Sequence, residues 1–184
     1  AAWRCEYFDN RKLEGTPTLV RFLMIRRPPR STLFPYTTLS DLDGIGPQHA
    51  RRVTRRELWD DLDINSLGTD EFIALCRKVG AEPLIVVNIG TPQWNVDADA
   101  YDFLQDALDW IEYCNGPADS TWGKVRAANG HPEPYRVKYW QLGNEISGND
   151  DDYVRRCPEF CKVMKQTDPD VASFDGGYGS ALLA

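Results

Sequence analysis

Glu145 closes the tripeptide Gly143-Asn144-Glu145, which follows the run Val137-Lys138-Tyr139-Trp140-Gln141-Leu142. A run rich in β-branched and aromatic residues reads as a strand. A carboxyl held where a strand ends can serve as a general acid or base. Asn88 holds an equivalent place, after Pro83-Leu84-Ile85-Val86-Val87. Taken alone these signals are modest, because a Glu after a strand is more often a cap or a salt-bridge partner. Trp59 reads equally well as a core aromatic or as a wall for a ligand. No other constellation competes. The five cysteines contain no Cys-x-x-Cys, and neither of the two histidines lies near Cys157 and Cys161. That pattern predicts buried free thiols within helices and no metal site. No Gly-x-Gly-x-x-Gly or Walker loop follows any strand, so no nucleotide or other cofactor is expected.

The charge balance narrows the partners. Acidic residues outnumber basic ones 28 to 21, for a net charge of −7. A nucleic-acid partner would call for a basic face, so none is expected, whereas a neutral ligand such as a sugar suits this balance. No apolar run approaches the ~20 residues of a membrane span, so no membrane partner is expected. The N-terminus shows no signal-peptide pattern and no initiating Met.

The elements that must position Glu145 and Asn88 follow from periodicity. Thr69 caps a helix in which Asp70 and Glu71 occupy the first turn and Gly80 ends the last. Phe72, Leu75, Cys76 and Val79 are its expected buried face. Leu84 to Asn88 is a continuous apolar run, as a strand buried on both faces requires. A helix is predicted from about Asp99 to Cys114, with Leu104, Ala107, Leu108 and Ile111 as its stripe, and a short helix or turn over 122–128. Strand 137–142 comes next, then a helix over about 151–166 with Tyr153, Cys157, Phe160, Cys161 and Met164 on one side. Pro158 should kink this helix or mark its true start. Strand 171–174 ends the series. Residues 50–66 read as a long loop with a helical turn. Strand and helix alternate, which implies an α/β fold with a parallel sheet near 84–88, 137–142 and 171–174. An open doubly wound sheet and a (β/α)₈ barrel share this signature.

Two stretches stand apart. From Thr16 to Ser40 there is no acidic residue, and Met24 to Leu39 reads MIRRPPRSTLFPYTTL. This run resembles the in-frame translation of a sequencing-library adapter, the alternative being a Pro/Arg-rich linker. Residues 22–40 are therefore set aside as an artefactual or linker segment. Without Arg26, Arg27 and Arg30 the net charge moves from −7 to −10. Before it, WRCEYFDNRKLEGTPTLVR resembles the opening of protective-antigen-like β-sandwich modules, with Thr18-Leu19-Val20 as a second short strand. Two strands cannot fold as such a module by themselves, so residues 1–21 are expected to be a disordered or docked fragment of one.

The remainder, 41–184, carries a more extensive resemblance. LIVVNIGT, then DWIEYCNGPADSTWGKVRAANGHPEPYRVKYWQLGNE, then KVMKQTDPD resemble the family 51 α-L-arabinofuranosidases, retaining glycoside hydrolases. The resemblance implies an incomplete (β/α)₈ barrel, since only 144 residues lie beyond Ser40 against about 250 for a whole one. It implies hydrolysis of terminal α-L-arabinofuranosyl groups in arabinose-containing polysaccharides, with Glu145 as the general acid/base and Asn144 holding the sugar 2-hydroxyl. It matches Trp59 to a tryptophan lining the sugar site and Asn88 to a strand-end Asn that positions a loop or touches substrate. It places the nucleophile, a Glu, on a later strand beyond Ala184, so these residues alone are expected to be inactive. Retention requires the two carboxyls about 5–5.5 Å apart, and the acid must be kept protonated by burial and by its partner's charge. The expected partner is an arabinofuranosyl carbohydrate, and a homo-oligomeric parent is compatible. Ser66, where many relatives have Glu, and Phe174-Asp175-Gly176-Gly177 depart from the pattern. Other barrel glycosidases, of xylosidase or endoglucanase type, share Asn-Glu at this place; EYCNG and NGHPEPY argue against them. A non-catalytic carbohydrate-binding protein is the alternative from another class.

Overall fold

Strand β1 (Thr18–Arg21), strands β2 (Thr54–Arg56) and β3 (Asp61–Asp63), helix α1 (Thr69–Lys78), strand β4 (Ala81–Val87), helices α2 (Phe103–Asn115) and α3 (Thr121–Ala128), strand β5 (Tyr139–Ile146), helix α4 (Asp151–Thr167) and strand β6 (Ala172–Gly177) follow one another along the chain. The computed structural model describes residues 18–21, 42–56, 61–90, 102–146 and 151–177. Among them, β1, β4, β5 and β6 form one sheet in that order, and every neighbouring pair is parallel. The α/β arrangement with parallel strands is thus present.

From β4 to β6 each strand lies beside its predecessor, as the strands of a barrel wound in one direction do. The two faces differ accordingly. Ile85, Val87, Trp140 and Leu142 are buried on the face covered by α2 and α4. There Trp110 of α2 meets Trp140 edge to face at 5.9 Å, and the Tyr153 hydroxyl of α4 donates to the Leu142 carbonyl at 3.0 Å. The opposite pleat carries Tyr139, Gln141 and Phe174, with the Tyr139 and Phe174 rings 5.9 Å apart. Helices on one face and side chains of mixed polarity on the other make this sheet an arc of a (β/α)₈ barrel.

Several local expectations are corrected. Thr69 is not the cap of α1 but its first residue; Gly68 is the cap. A side chain at 68 would run into the Gly44 carbonyl and the Arg51 guanidinium, so the capping oxygen comes from elsewhere. Glu71 Oε2 accepts from the Gly68 amide at 3.0 Å, and the Thr69 hydroxyl instead accepts from Trp110 Nε1 at 2.9 Å. The buried stripe of α1 is Thr69, Phe72, Ile73 and Cys76, while Leu75 and Val79 are exposed. Both sets fit an i, i+3, i+4, i+7 spacing, and the sheet selects the one that faces it. Helix α2 starts at Phe103, not near Asp99, because Asp102 accepts from the Gln105 amide and caps it. Its buried face is Phe103, Ala107, Trp110, Ile111, Tyr113 and Cys114; Leu104 and Leu108 pack only at the margin. Residues 50–66 are not a loop with a helical turn. They hold an antiparallel pair, β2 and β3, and the short 3₁₀ turn lies just before them at Gln48–Ala50. Helix α4 runs through Pro158, which therefore does not mark its start. Its expected buried side does hold, with Tyr153, Cys157, Phe160 and Met164 in the core. Thr18–Arg21 pairs with β4 at the sheet's edge.

The N-terminal end of the sheet is tied by side chains bonding to backbone. Asn115, at the end of α2, both donates to the Val137 carbonyl (2.8 Å) and accepts from the Val137 amide (2.7 Å). Arg126 of α3 is fully buried. Its guanidinium donates to the carbonyls of Tyr113, Gly116, His131 and Pro132 at 2.6–3.2 Å. In the first turn of α1 the bonding is between side chains instead, the Asp70 carboxylate accepting from the hydroxyls of Tyr113 and Tyr135. Burial first, then the bond to Asp70 and its charge, push both phenols up, so they stay protonated and keep donating.

Candidate active site

In a barrel the chemistry stands at the C-terminal ends of the strands. At the end of β4, Asn88 turns back on its own loop, and its side-chain oxygen accepts from the Gly90 amide at 2.9 Å. Gly90 has φ 71°, and a Cβ there would strike Phe103 of α2 and Arg156 of α4. Arg156 Nη1 donates to the Ile89 carbonyl at 3.0 Å. Two helix starts thus pin this loop.

The end of β5 is irregular. Leu142 pairs with Asp175 and Ile146 with Gly177, so β5 advances four residues while β6 advances two. Gly143, with φ 65°, begins this surplus, in the left-handed region that favours glycine. Gly143, Asn144 and Glu145 therefore lie inside β5 rather than past its end, which corrects the strand bounds expected from sequence. The bulge changes which way the chain faces. Three residues apart on a regular strand, Gln141 and Asn144 would point to opposite sides. Here they meet. Gln141 Nε2 donates to the Gly143 carbonyl at 2.8 Å and to Asn144 Oδ1 at 3.2 Å. Gln141 is buried, and Asn144 is half-buried.

Of the residues singled out from sequence, Asn88 and Asn144 thus stand at the same end of adjacent parallel strands. Glu145 occupies the penultimate position of β5, and its side chain lies outside the described set. Trp59 also lies outside the described residues. Among the described residues no group of three or more His, Cys, Asp or Glu could hold a metal ion, and no helix is long and apolar enough to cross a membrane. Gln141 escaped the sequence reading. The signal available was a polar residue between the apolar Trp140 and Leu142, three positions before Asn144.

The model of the α-L-arabinofuranosidase 1 domain matches residues 40–177. The chain belongs to this family. It is 35% identical to α-L-arabinofuranosidase C of Emericella nidulans over 137 residues, 71% of this chain and 25% of that protein. It is 36% identical to the intracellular exo-α-(1→5)-L-arabinofuranosidase 1 of Bacillus subtilis, over 70% of this chain and 25% of the relative. The crystal structure of the α-L-arabinofuranosidase from Thermotoga maritima, an arabinose complex, superposes with a TM-score of 0.62 at 41% identity, covering 72% of this chain and 27% of that one. This arabinofuranosidase-family chain spans about a quarter of the length of the curated relatives it matches.

Proposed function

We propose that the protein containing this segment removes terminal α-L-arabinofuranosyl groups from arabinose-containing polysaccharides with retention of configuration. The observation that carries this reading is the placement of Gly143-Asn144-Glu145 in the bulged C-terminal end of a barrel strand, in a chain of the arabinofuranosidase family. In the first step a second carboxylate attacks the anomeric carbon, the glycosidic C–O bond breaks, and the Glu145 proton passes to the leaving oxygen. In the second, Glu145 takes a proton from water as that water attacks the anomeric carbon and frees the carboxylate. Asn144 holds the sugar 2-hydroxyl. Asn88 acts on the loop after β4, as its bond to Gly90 supports, and Trp59 lines the sugar site. The nucleophile belongs to a strand after β6. The partner is an arabinofuranosyl carbohydrate and not a nucleic acid, and a homo-oligomeric parent is compatible with this reading.

The test is turnover of 4-nitrophenyl α-L-arabinofuranoside by the full-length protein. Glu145→Ala should lower the rate by roughly 10²–10⁴-fold, the range for loss of a general acid/base. Azide should restore much of it, because azide attacks the glycosyl-enzyme without needing a base. A variant that keeps the parent rate, or one that azide leaves unchanged, would sink the role of Glu145.

A further inference from the structure

The proposed reading assigns Asn144 to the sugar but leaves open which end of its amide faces outward, and the side chain of Gln141 answers that. The Gly143 carbonyl can only accept, so the Gln141 atom 2.8 Å from it is the amide nitrogen. The same nitrogen lies 3.2 Å from the Asn144 amide. Its second hydrogen therefore meets the Asn144 oxygen, and Asn144 Nδ2 is the end not engaged by Gln141. Gln141 is only 1% exposed, so the donor of this part-buried bond is shielded from water, and both residues sit on the same strand.

We propose that Gln141 is a positioning residue for sugar binding, holding the Asn144 amide so that its NH₂ group, rather than its oxygen, meets a hydroxyl of the substrate. The inference rests on the reading of Asn144 as a substrate contact. A reversed amide would present an acceptor in place of a donor and lose the bond that strengthens at the transition state. The bulge at Gly143 and the hydroxyl of Tyr153 on the Leu142 carbonyl hold the backbone between the two side chains, so the pair acts as one unit.

A double-mutant cycle in the full-length protein separates this role from simple packing. Gln141→Met preserves shape and removes the donor; Gln141→Leu serves the same cycle if the first variant does not fold. Asn144→Ala and Gln141→Met should each lower kcat/KM on the aryl arabinofuranoside, Gln141→Met by about tenfold, the size of one substrate hydrogen bond. In the Asn144→Ala background, Gln141→Met should change kcat/KM little further. Against an aryl 2-deoxyarabinofuranoside the Gln141→Met effect should shrink as well. An equal loss in both backgrounds, or full activity in Gln141→Met, overturns the positioning role while the reading of Asn144 stands. Full activity in Asn144→Ala overturns both.

Discussion

The two ends of the sheet are built on different principles. At the N-terminal end, side chains from the helices bond to main-chain groups. Arg126 gathers four carbonyls, and Asn115 brackets Val137. At the C-terminal end the backbone itself departs from regularity. Gly143 takes φ 65° and Gly90 φ 71°, β5 carries a bulge, and side-chain amides bond to their own strand or loop. One end holds the strands in place with bonds that ask nothing of a ligand. The other displaces regular pairing so that polar groups three residues apart share a face. The bonds that hold the strands and the residues of the proposed site thus stand at opposite ends of the same strands, as barrels allow.

That contrast can be broken or sharpened by substitution. The largest stability effect is expected from Arg126→Met, which leaves four carbonyls, that of buried Tyr113 among them, without their donor. About 3–5 kcal/mol should be lost in denaturant unfolding, with KM for the aryl substrate unchanged in the protein that remains folded. A comparable fall in substrate affinity would show that the two ends are not independent. Asp70→Ala strands the hydroxyls of Tyr113 and Tyr135 and should cost about 2–3 kcal/mol, again without altering kinetics. Gly143→Ala reverses the pattern. A left-handed conformation costs a non-glycine residue about 1–2 kcal/mol, so unfolding should shift modestly while kcat/KM falls by far more than that shift accounts for. If stability and activity fell together, the bulge would be a structural device only.

The smallest effect is expected at Glu71. Burial pulls its carboxyl upward, but the bond and charge of Arg51 and the Gly68 amide outweigh this, so its pKa is lowered. A lowered folded value means that the contribution is present above the ordinary Glu range and is lost as pH falls through the folded value. The ion pair, 2.9 Å long with Glu71 one-third exposed, is partly screened by solvent, so Glu71→Gln should cost at most about 1 kcal/mol at pH 7. The difference from the parent should close as pH falls below the ordinary Glu range and through that lowered value. A variant that stays equally destabilised in acid would show that Glu71 acts as a neutral cap and not as an ion.

Much of the frame was legible in the chain. Alternation of strand and helix, the apolar run at 84–87 and the stripe of α4 each follow from local periodicity, and each is present. Errors arose where two registers fit one pattern. In α1 both the 69/72/73/76 and the 72/75/76/79 sets are helical stripes, and only contact with the sheet chooses. The antiparallel pair β2–β3 was missed because its residues are charged and its strands only three long.

By itself, then, the sequence determined the α/β class, the order of the elements from α1 onward and the tripeptide that carries the family resemblance, because these depend on neighbours along the chain. Winding of the sheet, the cap of α1 and the common face of Gln141 and Asn144 were decided only in three dimensions. The last is the clearest case. A strand read from sequence alternates strictly, and only the mismatch between four residues on β5 and two on β6 turns Asn144 to the side where Gln141 can hold it.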